Sequence, residues 1–182
     1  GAGQMGNGNS HVCALAGLPV VLLDARKEAL DKAMAAMAHN MDRQVNRDLI
    51  SPLEKAEALA RVTPTIDYAA FGNCDLVIEA ATEKEEIKRA IYQTLTPHLK
   101  PGCMIASNTS SISITRLGAS TDRPGKFIGM HFMNPVPVMK LVELIRGIAT
   151  DEPTFQATQA LAARLGKTTA VSEDFPAFIV NR

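Results

Sequence analysis

Neither sign of charge predominates in this 182-residue chain, where nineteen Lys and Arg stand against nineteen Asp and Glu. Without a basic surplus there is no electrostatic footprint for phosphate-backbone contacts, and nucleic acid is not an expected partner. Long apolar runs are also lacking. The longest uncharged apolar stretch, Val12 to Leu23, is broken by Gly17 and Pro19 and falls short of the roughly 18 residues that span a bilayer. A membrane is therefore not an expected partner either. Residues 1–9 carry no positive charge and no apolar segment, so they do not read as a signal peptide. Cysteine is scarce: Cys13, Cys74 and Cys103 are odd in number, far apart and without a Cys-x-x-Cys pair. That excludes a disulfide framework or a zinc site and suits a reducing compartment, most simply the cytoplasm. Four histidines without ligand spacing give no reason to expect a metal.

At 46% hydrophobic and 21% charged residues the chain has the composition of an ordinary globular domain. Short apolar runs at Val20–Leu23, Leu76–Glu79, Met104–Ala106, Phe127–Met130, Lys140–Leu144 and Thr168–Val171 read as strands, with a weaker one at Val62–Ile66. Pro64 puts that last one at an edge. Helical patterns fall at Asn9–Ala16, Lys27 to about Arg47, Glu83 to about His98 and Asp151 to about Leu165. Ser51-Pro52-Leu53-Glu54 is a capping box that opens another helix running to Arg61. Strands alternating with helices predict an α/β fold with a doubly wound, mostly parallel sheet. The turn between the strands near residues 127 and 145 is too short for a helical crossover, so that pair is expected to be antiparallel. No linker or repeat divides the chain, and one domain is expected.

Three groups of residues can carry chemistry. Gly1, Gly3 and Gly6 open a helix, and Asp24 follows a strand eighteen residues beyond Gly6. Glycines let the backbone approach a pyrophosphate, a helix N-terminus offers unpaired N–H groups, and a carboxylate can hold a ribose diol. This is the pattern of a dinucleotide site, and Asp24 favours NAD over a 2′-phosphorylated cofactor, with Arg26 close by. Because such a glycine pattern normally leaves a β-strand, a strand is expected upstream of Gly1. The second group is His131, at a strand end, and Glu143, in the otherwise apolar Leu141-Val142-Glu143-Leu144 run. A buried glutamate needs a partner, and in a hairpin His131 can be that partner, as a catalytic dyad or a structural ion pair. The third is the polar knot Ser107-Asn108-Thr109-Ser110-Ser111, which by composition alone is turn and capping chemistry. From spacing alone, Glu83 and Lys88 read as a solvated helix face. His11, His39 and His98 read as ordinary core or surface residues.

The strings GAGQMGNG, DLVIEA, SNTSSISIT, GMHFMNPVPVMKLVEL and FPAFIVNR, in this order, resemble the 3-hydroxyacyl-CoA dehydrogenases, especially the stand-alone 3-hydroxybutyryl-CoA enzymes. The resemblance spans essentially the whole chain and implies a Rossmann-like domain with an antiparallel extension. It also implies NAD as cofactor and hydride transfer to and from the 3-hydroxyl carbon of a short (S)-3-hydroxyacyl-CoA. Related hydroxy-acid dehydrogenases of the gulonate type, or a non-catalytic dinucleotide-binding relative, are the alternatives. Carried over position by position, the catalytic group is His131, Glu143, Ser110 and Asn181. The NAD contacts are Gly1, Gly3, Gln4, Met5, Gly6, Asp24, Glu83, Lys88, Ser110 and Asn134. The acyl-CoA substrate is expected against Asn40, Arg43, Arg47 and Ser110. The family further implies a helical C-terminal domain after Arg182, which supplies homodimer contacts and closes the cleft. One departure stands out: Asn9-Ser10 occupies positions where the family usually carries an apolar pair.

Overall fold

Short apolar runs with no room for more than a few ladder bonds pair into two sheets. The computed structural model describes residues 1–175 and Phe178. Val20–Leu23 (β1) and Val62–Thr65 (β2) pair in parallel, Leu22 opposite Pro64, with the proline on the edge strand where its missing N–H disrupts least. Leu76–Glu79 (β3), Met104–Ser107 (β4), Phe127–Phe132 (β5), Leu141–Arg146 (β6) and Thr168–Glu173 (β7) form the second sheet in chain order. All its pairings are parallel except β5 with β6. The expected mostly parallel, doubly wound arrangement with its antiparallel β5–β6 pair is laid out here as two sheets. The opening glycine segment lies between the carboxyl ends of the two sheets, where the Ala2 N–H donates to Asp24 beyond β1 (2.8 Å). On its other side a Cβ on Gly1 would stand 2.9 Å from the Ala80 carbonyl oxygen beyond β3.

Among the described residues six α-helices cover the sheets. Gln4–Leu15 (α1) starts earlier than the Asn9 boundary read from the sequence, because Gly3 takes the extended N-cap conformation. Lys27–Val45 (α2) buries Leu30, Ala33, Met37 and Met41, the three-and-four spacing of one helical face. Pro52–Ala60 (α3) has the expected capping box, Ser51 Oγ accepting from the Glu54 N–H and the Ser51 N–H donating to Glu54. Glu85–Leu95 (α4) continues into a 3₁₀ turn, and Glu152–Arg164 (α6) is capped by Asp151. Ile114–Gly118 (α5) is a single turn just past the polar knot, in a stretch to which the sequence reading gave no element. Its first amides donate to Asp174, at 2.9 Å from Ile114 and 2.8 Å from Thr115, while Ser113 Oγ donates to the same carboxylate.

The core comes in three apolar clusters. One packs α1, α2 and α3 against β1 through Met37, Met41 and Leu22. A second sets Tyr92 and Leu95 of α4 against Phe127 and Ile105, and a third joins Val12, Met130, Phe132, Val142 and Leu144. At about 1.5–3 kcal/mol for each fully buried large side chain, this burial is what opposes the chain's conformational entropy. The departure at Asn9-Ser10 falls inside the packing: both residues are buried, and among the described residues the Asn9 side-chain amide finds no hydrogen-bond partner.

Candidate active site

Ligands of open α/β sheets collect beyond the carboxyl ends of the strands, and two adjoining cavities lie there. The larger, about 840 Å³, runs from the Gly1–Gln4 segment past Asp24 along α2 to Asn40 and Arg43, with Asn134 to Pro137 opposite. The smaller, about 320 Å³, is walled by Met5, Glu83, Ser110 and His131. Ala80, Ala81 and Asn134 belong to both.

The glycine segment has the properties a pyrophosphate needs. A Cβ on Gly6 would sit 1.8 Å from the Gly1 carbonyl oxygen, whereas one on Gly3 would meet nothing within 4 Å. Gly6 therefore permits the tight backbone approach, and Gly3 opens toward the cavity. No side chain caps α1 and its first turn holds no acid, so its leading N–H groups remain available to an anion. Burial opposes ionisation of Asp24. The N–H groups of Ala2 and Arg26 and the Arg26 charge outweigh it, holding the carboxyl below the usual range. An ionised acid beside the glycine segment suits a ribose diol and repels a phosphate. These features fit a dinucleotide.

His131 and Glu143 stand directly opposite each other in the antiparallel β5–β6 pair. His131 Nδ1 lies 3.1 Å from Glu143 Oε2; the histidine is 8% exposed and the glutamate fully buried. A carboxylate only accepts, so Nδ1 carries the proton of that bond and Nε2 is left as the basic nitrogen of the neutral ring. The Phe178 ring lies tilted against the imidazole, centroids 6.4 Å apart.

The polar knot is gathered by one carboxylate oxygen. Glu83 Oε1 accepts from Thr109 Oγ1 (2.5 Å), from the Ser110 N–H (2.9 Å) and Oγ (3.2 Å), and from the Ser111 N–H (3.2 Å) and Oγ (3.1 Å). Partial burial works against the Glu83 charge, but these donors and the Lys88 ammonium bring its carboxyl below the ordinary value. Asn108 Oδ1 accepts the Phe132 N–H (3.0 Å), tying the knot to the strand that carries His131.

Gly1, Gly3, Gln4, Asp24, Asn40, Arg43 and Asn134 thus line the larger cavity, and Met5, Glu83, Ser110, His131 and Asn134 the smaller. Glu143 supports His131 from behind. Gly6 acts through its packing. Arg47 is exposed beyond the end of α2 and lines neither cavity. Asn181 lies outside the described residues. Lys88 corrects the solvated-face reading: it is 1% exposed, 2.7 Å from Glu79 and 3.7 Å from Glu83, and lines neither cavity. His11 is a core residue, its Nε2 2.8 Å from Gln44 Oε1. Three contributors went unread in the sequence. Glu79 ends β3, Asn108 ties strand to knot, and the Lys167 ammonium donates to the carbonyls of Val136 (2.5 Å), in the wall of the larger cavity, and of Met139 (2.8 Å), just beyond it. Glu79 alone had a signal, a carboxylate ending an apolar strand.

Fold and site together define a Rossmann-like dinucleotide-binding unit with a His–Glu pair at its cleft. The chain belongs to the family described as 3-hydroxyacyl-CoA dehydrogenase, NAD binding domain, whose model matches residues 1–175. It is 58% identical over its full length to a 3-hydroxybutyryl-CoA dehydrogenase of Bradyrhizobium diazoefficiens, covering 62% of that protein. It is 43% identical to a fatty acid oxidation complex subunit alpha of Psychrobacter cryohalolentis, of which it covers 25%. Among solved structures, the (S)-3-hydroxybutyryl-CoA dehydrogenase from Ralstonia eutropha superposes on the whole chain with a TM-score of 0.98 at 46% identity. The 3-hydroxybutyryl-CoA dehydrogenase from Escherichia coli gives 0.97 at 38%. The chain spans 64% of the first of these and 39% of the second.

Proposed function

We propose that this chain is the NAD-binding domain of a dehydrogenase that interconverts short (S)-3-hydroxyacyl-CoA and 3-oxoacyl-CoA, with 3-hydroxybutyryl-CoA as the leading substrate. The observation that carries the reading is the His131–Glu143 pair, set across two strands at the end of a cleft that begins with the Gly1–Gly6 segment. Gly1, Gly3, Gln4 and Asp24 would hold the pyrophosphate and ribose of NAD, and Met5, Glu83, Ser110 and Asn134 its far half. Bound NAD would supply the hydride acceptor for the substrate carbon. In oxidation His131 Nε2 takes the 3-hydroxyl proton as the carbonyl forms, and in reduction the imidazolium returns it to the developing alkoxide. Glu143 holds the imidazole orientation and stabilises the imidazolium. Ser110, with Asn181, orients the oxygen. Lys88 belongs to this reading through Glu83, while Asn40, Arg43 and Arg47 are the polar groups on the coenzyme A side. The cytoplasm and a homodimer are part of the same proposal. Three unpaired thiols support the first, and among the described residues no helix is long and apolar enough to cross a membrane.

The deciding experiment compares acetoacetyl-CoA with acetoacetate as oxidants of NADH in the complete protein. Oxidation that requires the CoA thioester is expected. CoA-independent oxidation of hydroxy acids would move the substrate to the free acids, and NADH binding without turnover would leave a binding protein. Asp24→Ala tests the cofactor. Losing one charged hydrogen-bond acceptor, about 1.5–3 kcal/mol, should weaken NAD binding by roughly ten- to a hundredfold. NADP should lose less, because a repulsive charge leaves with the acceptor. Fluorescence titration reads both; equal losses would remove Asp24 from the ribose.

A further inference from the structure

Glu79 closes β3 with a carboxylate that is 4% exposed and accepts four hydrogen bonds. Oε1 takes the Ala81 N–H (2.6 Å) and the Lys88 ammonium (2.7 Å), and Oε2 takes the Tyr92 hydroxyl (2.7 Å) and the Ser107 hydroxyl (2.8 Å). Nothing in the hydride-transfer chemistry uses this group, yet a carboxylate is costly to bury. Its partners explain where its influence goes. Ala81 is a shared wall of both cavities, and Ser107 is the strand end from which the polar knot departs. Lys88 stands between two carboxylates, tight against Glu79 and 3.7 Å from Glu83, the residue that gathers Thr109, Ser110 and Ser111.

We propose that Glu79 is a positioning residue that acts through Lys88. By holding the ammonium at the end of β3, it keeps Lys88 from drawing Glu83 inward, so that Glu83 Oε1 stays on the 109–111 loop and Ser110 stays at the cavity wall. The consequence for nicotinamide binding rests on the NAD reading above; the consequence for the loop does not.

Glu79→Gln preserves shape and removes the charge. A carboxamide can keep its oxygen on the Ala81 N–H and the Lys88 ammonium and turn its NH₂ to the Tyr92 and Ser107 hydroxyl oxygens, which accept, so the hydrogen bonds hold while the negative charge opposite Lys88 is lost and Glu83 becomes the nearest carboxylate. The buried ammonium then turns to Glu83, closes the 3.7 Å gap and pulls that carboxylate off the loop. In the complete, cofactor-free protein, amide hydrogen exchange at residues 109–111 should rise about tenfold relative to wild type. The Kd for NADH should rise about tenfold as well. The double variant Glu79→Gln/Lys88→Met removes the ammonium that does the pulling, and loop exchange should return to within about threefold of wild type. General destabilisation would not produce that recovery. Leu95→Ala, a core truncation on the same helix, should lower Tm at least as much while leaving the Kd for NADH within about twofold.

Loop exchange in folded Glu79→Gln within about twofold of wild type, or equally fast exchange in the single and double variants, would overturn the proposal. Should Glu79→Gln fail to fold, Glu79→Asp, which withdraws the charge by one methylene, carries the same expectation of faster loop exchange and the same refutation. Wild-type protein that binds no NADH while the exchange pattern holds would sink the dinucleotide reading and leave the positioning role standing.

Discussion

Replacing His131 with Gln in the complete protein is expected to lower NADH-dependent reduction of acetoacetyl-CoA by about 10²- to 10⁴-fold, the usual worth of a positioned general acid–base. The loss should fall on kcat. Glutamine is neutral and of similar reach, so it can still occupy the space opposite Glu143, but it cannot take up and return a proton near neutral pH. His131 is 8% exposed, sits beside the Phe178 ring and does not line the larger cavity that contains the glycine segment, so the Kd for NADH should stay within a few-fold. Stopped-flow turnover and fluorescence titration on one preparation separate the two effects. A variant retaining turnover within tenfold of wild type would remove the histidine from the chemistry.

Gly6→Ala should have the largest effect on cofactor binding. Its new methyl would be placed 1.8 Å from the Gly1 carbonyl oxygen and 2.9 Å from the Gly1 carbonyl carbon. Those are backbone atoms, and they cannot swing aside as a side chain can. The segment that meets the pyrophosphate must shift, at an overpacking cost of about 1–3 kcal/mol and with loss of the aligned N–H groups. NADH affinity is expected to fall more than about a hundredfold, with a Tm lower by several degrees. Gly3→Ala provides the contrast. No protein atom lies within 4 Å of its added methyl, so stability should hold while the methyl intrudes on the space the cofactor needs. If Gly3→Ala left NADH affinity unchanged, the cavity beside it would not be the pyrophosphate site.

Much of this was legible from patterns that obey local rules. The β5–β6 pairing follows from a short connection, and the alternation in Leu141-Val142-Glu143-Leu144 sends Glu143 to the face opposite Val142 and Leu144, where a partner was demanded. The capping box at Ser51 and the edge proline in β2 are equally local. What escaped the sequence depends on the third dimension. Lys88 sits in a helix rich in charge, and only the approach of β3 turns its position from a solvated face into a buried ion pair. The α5 turn was hidden because its N-terminal donors are satisfied by Asp174, about sixty residues away in sequence. Arg47 came with Asn40 and Arg43 from the family resemblance, and it lies two residues past the end of α2 at Val45, outside the walls of both cavities.

The cross-strand placement of His131 and Glu143 also separates the substitutions this chain can absorb from those it cannot. The distance between the two side chains is set by the β5–β6 ladder, with no contribution from the length of the connection that joins them. Residues 134–137 of that connection, which wall the larger cavity, can therefore exchange side chains without moving His131 relative to Glu143. A one-residue slip of β6 has no such tolerance, because it would carry Glu143 to the face now occupied by Val142 and Leu144 and leave His131 opposite an aliphatic side chain. Change along the connection is gradual, whereas loss of the His131–Glu143 pairing is a single discrete event.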